Sequence, residues 1–302
     1  MMNRRTFLGA CLGSAAFTAG TLLSRRLAWA AAEGEHRIDN IGVQLYTVRG
    51  QMKHHFENTL AKVAAIGYKE VEFAGYFEHS PKDVRAALER NGLISPAAHV
   101  DYETLGEKWP AQIDAATVIG QKFIVCPWIP EKIRMKADGW KLAADVFNGA
   151  GEASSKAGVQ FAYHNHWFEF LPSLLPEQGK LPYDFLLENC DAKLVKMELD
   201  LCWITVGGGD PVKYFERYPG RFPLVHVKDV KAVPKVSGSG KRNLGDSIKE
   251  MTEVGSGVID WKRIFARSEE AGIQHYIVEH DKPKLPFESI QGSYEYLRGL
   301  RW

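Results

Sequence analysis

The sequence predicts an α/β chain folded as a (β/α)8 barrel, and three observations carry that expectation. Eight short apolar runs recur along the chain. Polar segments with helical periodicity separate them, several ending at a glycine. No Pro/Ser-rich linker, low-complexity tract or short repeat divides the region, which points to one domain over 31–302.

The eight runs are residues 41–46, 70–73, 97–100, 123–127, 160–164, 195–200, 224–227 and 276–279. Helix candidates with stops lie at 56–66 before Gly67, 81–90 before Asn91-Gly92, 140–157 before Gly158 and 261–271 before Gly272. A glycine there can take the left-handed conformation that closes a last turn. Strands alternating with helices pair in parallel through right-handed crossovers. Eight such units in roughly 250 residues fit a closed barrel. An open doubly wound sheet would carry a glycine-rich phosphate turn after its first strand, and Gln44-Leu45-Tyr46-Thr47 is no such turn.

The N-terminus reads differently. Arg4-Arg5 precede an apolar stretch from Phe7 to Leu23, and Ala28-Trp29-Ala30 offers a small-residue cleavage site. That order is a secretory signal. The paired arginines make residues 1–30 a Tat-like signal peptide, implying the Tat export machinery as a partner and a periplasmic or exported product. No stable membrane insertion is expected after cleavage. An uncleaved anchor is the alternative, since Arg25 and Arg26 follow the apolar run. With a formal net charge of +1 and no long basic run, nothing suggests a nucleic-acid partner. Cys126, Cys190 and Cys202 are odd in number beyond the signal and lie in or near apolar segments, so buried free thiols are expected. The residues do not fix an oligomeric state, and a homo-oligomer is compatible with them.

Reactive groups of such a barrel project from the C-terminal ends of its strands. Run five ends Tyr163-His164-Asn165-His166, and run six ends Glu198-Leu199-Asp200. Run seven leads into Val225-His226-Val227-Lys228-Asp229, and run eight into Val278-Glu279-His280-Asp281. Four consecutive strands thus bring imidazole or carboxylate to one rim, a donor set for a divalent ion. Left unpaired, each would cost desolvation energy. Alternation along each strand lets Asp200, His226 and Glu279 share the barrel interior.

These residues carry a resemblance. The chain from about Ile41 onward resembles the xylose isomerase-like TIM barrel superfamily, the sugar phosphate isomerase/epimerase group. The resemblance rests on Gly42-Val43-Gln44-Leu45-Tyr46, Val71-Glu72-Phe73, Tyr163-His164-Asn165-His166, Leu199-Asp200, His226-Val227-Lys228-Asp229, Val254-Gly255-Ser256-Gly257 and Val278-Glu279, in that order. It implies one metal ion held by Glu, Asp, His and Glu from strands five to eight. Asp200, His226 and Glu279 match the last three, while His164 stands where many relatives carry the first glutamate. Either His164 is the fourth ligand, or Glu169 reaches back from the loop. Two glutamates on opposite faces of an enediolate are the family's epimerase device, and here Glu279 alone remains. Its role is then the principal base, with His166 or Lys228 as a second proton-transfer group and the metal polarising a carbonyl.

Other positions carry two readings each. His99 contacts a substrate hydroxyl or lies on an exposed loop. Glu72 orients a ligand histidine or forms a salt bridge inside the barrel. Trp128, Trp167 and Trp203 follow runs four, five and six, where they stack on a sugar or simply pack. Lys228-Asp229 reads as an ion pair, His54-His55 as solvated surface, and Gly207-Gly208-Gly209 as a flexible connection. The resulting expectation is a metal-dependent sugar isomerase or epimerase. A keto-sugar or keto-glycoside lyase or hydrolase is the alternative, and a non-catalytic carbohydrate-binding barrel the reading from another class. Manganese, zinc, cobalt and iron(II) suit the donor set equally.

Overall fold

Eight strands form the barrel: β1 (Ile41–Gln44), β2 (Glu70–Ala74), β3 (Ala97–His99), β4 (Phe123–Cys126), β5 (Gln160–His164), β6 (Val195–Asp200), β7 (Leu224–Val227) and β10 (His275–Val278). In this computed structural model, which describes residues 36–171, 180–233 and 247–302, they close in parallel in the order β1-β10-β7-β6-β5-β4-β3-β2. A two-stranded antiparallel ribbon, β8 (Asp229–Val230) with β9 (Met251–Thr252), lies outside that ring. Residues 38–300 make up the barrel unit. Residues 1–30, read as a signal peptide, lie outside the described residues. Among those described, no helix is long and apolar enough to cross a membrane.

All eight predicted runs are strands, with ends shifted by a residue or two. The helix 56–66 is found as predicted, and Pro81–Asn91 and Gly139–Ser155 differ only at their ends. The expected helix 261–271 divides into Trp261–Phe265 and Ser268–Ala271. Between them the Ser268 hydroxyl donates to the Phe265 carbonyl at 2.7 Å, a local bond that competes with the helical ladder. The glycine run at 207–209 is no flexible connection. It closes a helix, Leu201–Gly207, with Gly208 left-handed at its end.

The inward face of the strands changes character along the barrel. Ala97, Phe123, Val125, Ala162, Leu224 and Ile277 form an apolar cluster. Two residues beyond Ala97, Ala162, Leu224 and Ile277 come His99, His164, His226 and Glu279, so polarity rises toward the C-terminal rim. Cys126, Cys190 and Cys202 are buried free thiols, as expected. His54 and His55 are exposed.

Just past β7, alternation sends Lys228 inward and Asp229 outward, so the expected pair between them does not form. Asp229 is 1% exposed and accepts five donors: the amides of Val230, Gly255, Gly257 and Ile259, and the Trp261 indole. The backbone wraps so closely that a Cβ on Gly257 would fall 2.0 Å from Asp229 Oδ1. That contact explains a glycine there.

Candidate metal and active site

The barrel gathers its ionisable residues into two groups that share His226. Asp200, His226 and Glu279 bring donor atoms within 4.8 Å of one another. So do His99, His164, Glu198 and His226. The predicted quartet His164, Asp200, His226 and Glu279 is therefore split between the two, although His164 Nε2 is 3.7 Å from Asp200 Oδ2. The shared position follows from the imidazole having two nitrogens. His226 Nδ1 lies 2.7 Å from Glu279 Oε2, and Nε2 lies 2.7 Å from Glu72 Oε2 and 3.2 Å from Glu198 Oε2.

Register places these contacts. Asp200 pairs with His226 across β6 and β7, and His164 with Glu198 across β5 and β6. Glu198 sits two residues before Asp200 on the same strand face, and its Oε2 meets His99 at 2.8 Å and His164 Nδ1 at 3.0 Å. Glu72 also accepts from Gln44 at 2.8 Å. It both supports His226 from behind and forms an ion pair inside the barrel. His99 is no exposed loop residue: its side chain is 12% exposed and touches both glutamates.

Lys228 enters from beyond β7. Its ammonium lies 3.0 Å from Asp200, 2.7 Å from Glu279 and 3.0 Å from Asp281. Asp200 spends its other oxygen on the helix that follows, accepting the Trp203 amide at 2.7 Å. Asp200 Oδ2, Glu72 Oε1 and Glu198 Oε1 are buried with no aligned hydrogen-bond donor.

Charge follows this packing. Burial pushes the Asp200 carboxyl up to about 6 against the pull of Lys228 and His226. Burial alone would lower the His99 imidazole, yet Glu72 and Glu198 hold it up at about 9. His226 is raised in the same way, burial opposing and Glu198 leading the pull upward. Glu198 stays below the usual carboxylate range despite burial, because His226 and His99 face it. Burial and the neighbouring His226 hold His164 well below its ordinary value, and burial with Lys228 does the same to His166. Burial would also raise Glu279, but Lys228 and His226 hold it well below the usual range.

His164 and His226 are each anchored by a carboxylate on one nitrogen, leaving the other to face Asp200 and Glu279. This is the arrangement that aims imidazoles at a metal ion. Asp200 Oδ2, which lies between Lys228 and His164, completes a mixed nitrogen and oxygen donor set. The residues present therefore fit a divalent ion. Glu169, the alternative ligand, is engaged elsewhere. It accepts from the Tyr163 hydroxyl and from the His166 amide at 3.0 Å, behind the strand face that carries His164.

Burial pushes the Glu169 carboxyl up to about 7. The folded state then binds its proton more tightly than the unfolded chain, so stability falls as pH rises from near 4.5 through 7. Glu169→Gln keeps the shape without the charge. It is expected to be the more stable protein at pH 8 by roughly 1–3 kcal/mol, with the gap closing near pH 4. Urea unfolding at the two pH values measures this; a gap independent of pH refutes it.

A cavity of about 560 Å³ opens above the ionisable groups, lined by His99, His164, His166, Lys228, Glu279 and Asp281 and by residues after β1 to β4. Of the three tryptophans expected to meet a sugar, Trp128 lines it. Trp203 is fully buried, because the helix capped by Asp200 turns it into the core. Trp167 is half-buried against Trp203 at 4.8 Å. Both brace the wall behind His166, whose ring stacks on Phe168 at 5.9 Å and Trp203 at 6.0 Å. Sequence reasoning missed Glu198, Asp281, Tyr46 and Tyr76 as site residues. For Glu198 and Asp281 the signal was present, since each lies two residues from a chosen ligand.

Fold and site together define a (β/α)8 barrel with a histidine–carboxylate cluster at the C-terminal mouth. The chain belongs to the xylose isomerase-like TIM barrel family, whose profile matches residues 60–302. It is 25% identical over 270 residues to an inosose dehydratase of Geobacillus thermodenitrificans, spanning 80% of this chain and 89% of that one. A solved sugar phosphate isomerase/epimerase from Parabacteroides distasonis superposes with a TM-score of 0.72 and 29% identity, over 86% of this chain and 93% of the other. The IOLI protein, solved with a zinc atom, gives a TM-score of 0.63 at 15% identity over 85% of this chain and 95% of that one, a likeness of fold alone.

Proposed function

We propose that this chain is a metal-dependent lyase that removes water from a keto-sugar or keto-cyclitol. One observation carries the reading. His164 and His226, each held from behind by a buried glutamate, face Asp200 and Glu279 at the base of the cavity. These four residues would hold the ion, which when bound would polarise a substrate carbonyl and stabilise the developing oxyanion.

The chain's own groups then move the protons. Glu279 accepts the proton from the carbon beside the carbonyl. The electron pair left behind forms a double bond as the neighbouring C–O bond breaks. The departing hydroxyl takes a proton from the Lys228 ammonium and leaves as water. Lys228 is held among Asp200, Glu279 and Asp281, beside the base and on the cavity wall. His164 in place of a second glutamate favours this one-base chemistry over two-base epimerisation, and the dehydratase relatives support the same class. The Parabacteroides likeness keeps isomerisation as the second reading. His99 and Glu72 are read as groups that fix the imidazoles, with His99 also reaching the cavity.

The purified protein, supplied in turn with manganese, zinc, cobalt and iron(II), is expected to bind one ion per chain and to dehydrate an inosose. NMR in deuterated water reads the reaction. A product lacking one water, with turnover lost in Asp200→Asn, supports the lyase. An isomer with solvent deuterium on a ring carbon supports isomerisation instead. If no ion binds, the reading fails. If the sugar binds and nothing is ever consumed, the barrel is a binding protein.

A further inference from the structure

The mouth of the barrel has two unlike halves. Strands β5, β6, β7 and β10 bring all the ionisable groups that the proposed reaction uses. The contiguous strands β1 to β4 bring aromatic rings to the same cavity: Tyr46 after β1, Tyr76 after β2 and Trp128 after β4, with Asp101 between them. No proton-transfer role falls to these rings.

Two of them are open to solvent and fixed in place. Tyr46 is 38% exposed and Trp128 is 37% exposed. Each has a guanidinium against one face. Arg49 lies 3.9 Å from the Tyr46 ring centre, tied by hydrogen bonds of 2.6 Å to the Tyr46 carbonyl and 2.9 Å to the Asp281 carbonyl. Arg134 lies 4.7 Å from the Trp128 ring and 4.1 Å from Phe168, and donates to the Ile129 carbonyl at 2.9 Å. A ring backed in this way presents its other contacts without losing freedom on binding.

Tyr76 is held differently. Its hydroxyl donates to Gln121 at 2.9 Å, and the chain just beyond it takes positive φ at Phe77 (51°) and Glu78 (67°). Two successive non-glycine residues in that left-handed region carry a steric cost. Such cost persists where the surrounding structure needs the turn, and here the turn sets a ring at the cavity wall. The cavity, about 560 Å³, falls within the range of pockets that enclose drug-sized ligands, larger than one reacting ring requires.

We propose that Tyr46, Tyr76 and Trp128 form a subsite for a second ring, so that the substrate is a glycoside whose keto-sugar ring reacts at the ionisable half. The proposal rests on the reading of the mouth as a sugar site. The flat C–H faces of a sugar, or an aromatic aglycone, stack on the braced rings, and Asp101 accepts a hydroxyl of the second unit.

Calorimetry on the metal-loaded protein tests this with glucose, galactose and mannose, each free, as the methyl glycoside and as the phenyl glycoside. For the sugar that binds best, the phenyl glycoside is expected to bind about tenfold tighter than the methyl glycoside. In Trp128→Ala that ratio is expected to fall to about one. A ratio near one in the wild type, or a ratio unchanged in the variant, overturns the second-ring subsite while leaving the sugar site standing. If no sugar in any form binds, the subsite and the sugar-site reading fall together.

Discussion

Glu279→Gln is expected to lower turnover by about 10²–10⁴-fold, the usual worth of a positioned base. Glu279 Oε2 lies 2.7 Å from both His226 Nδ1 and Lys228 Nζ at the cavity floor. The amide preserves the shape but cannot accept a proton. The loss should appear in kcat, with KM changed much less, since the substrate's other contacts remain. Metal content of the variant must be measured alongside, because the same carboxylate is a proposed ligand. Unchanged turnover would remove Glu279 from the role of base. A loss that disappears when the ion is supplied at high concentration would leave it a ligand only.

The largest effect on folding is expected at Asp229. Asp229→Ala deletes a buried carboxylate that accepts from four amides and an indole N–H. A buried donor left without a partner costs about 1–3 kcal/mol. Some of the five will find water, so a total near 3–5 kcal/mol is expected, among the larger single-residue effects. For a domain of this size that corresponds to a fall in Tm of ~10 °C. Asp229→Asn keeps one acceptor oxygen and should lose roughly half as much. Thermal and urea unfolding of the two variants measure the difference. Alanine within 1 kcal/mol of the wild type would mean that the ribbon and the loop at 254–257 hold their shape without the carboxylate.

How far the sequence carried these results depends on the range of the interactions. The barrel was legible because each strand announces itself locally as an apolar run, with a glycine-stopped helix between several of them. Eight local signals suffice for the topology, since parallel crossovers have one hand. The inward set Asp200, His226 and Glu279 was legible for the same reason, because period-two alternation is a local property. The support of His226 by Glu72 was one of two readings and is now a 2.7 Å contact.

What escaped depends on how the chain turns just past a strand, or on neighbours far apart in the chain. Trp203 looks like a rim residue until the Asp200 cap turns its helix into the core. Lys228 and Asp229 look like a pair until their directions are known. Glu198 lies two residues from a chosen ligand, but its meeting with His99, 99 residues away, and with His164 and His226 is what marks it as a site residue. Tyr46 ends a stretch that carries the family resemblance and Tyr76 lies in none, and the cavity alone reveals both as site residues.

The four residues His226-Val227-Lys228-Asp229 face alternately into and away from the barrel, and two different demands are written on that alternation. The inward pair serves the chemistry, and Asp229 clasps the outer loop. Inserting or deleting one residue here would exchange their faces, so the reaction and the fold would be lost in the same step. This stretch should therefore tolerate a change of length least of all, and a point change best at the outward, apolar position Val227.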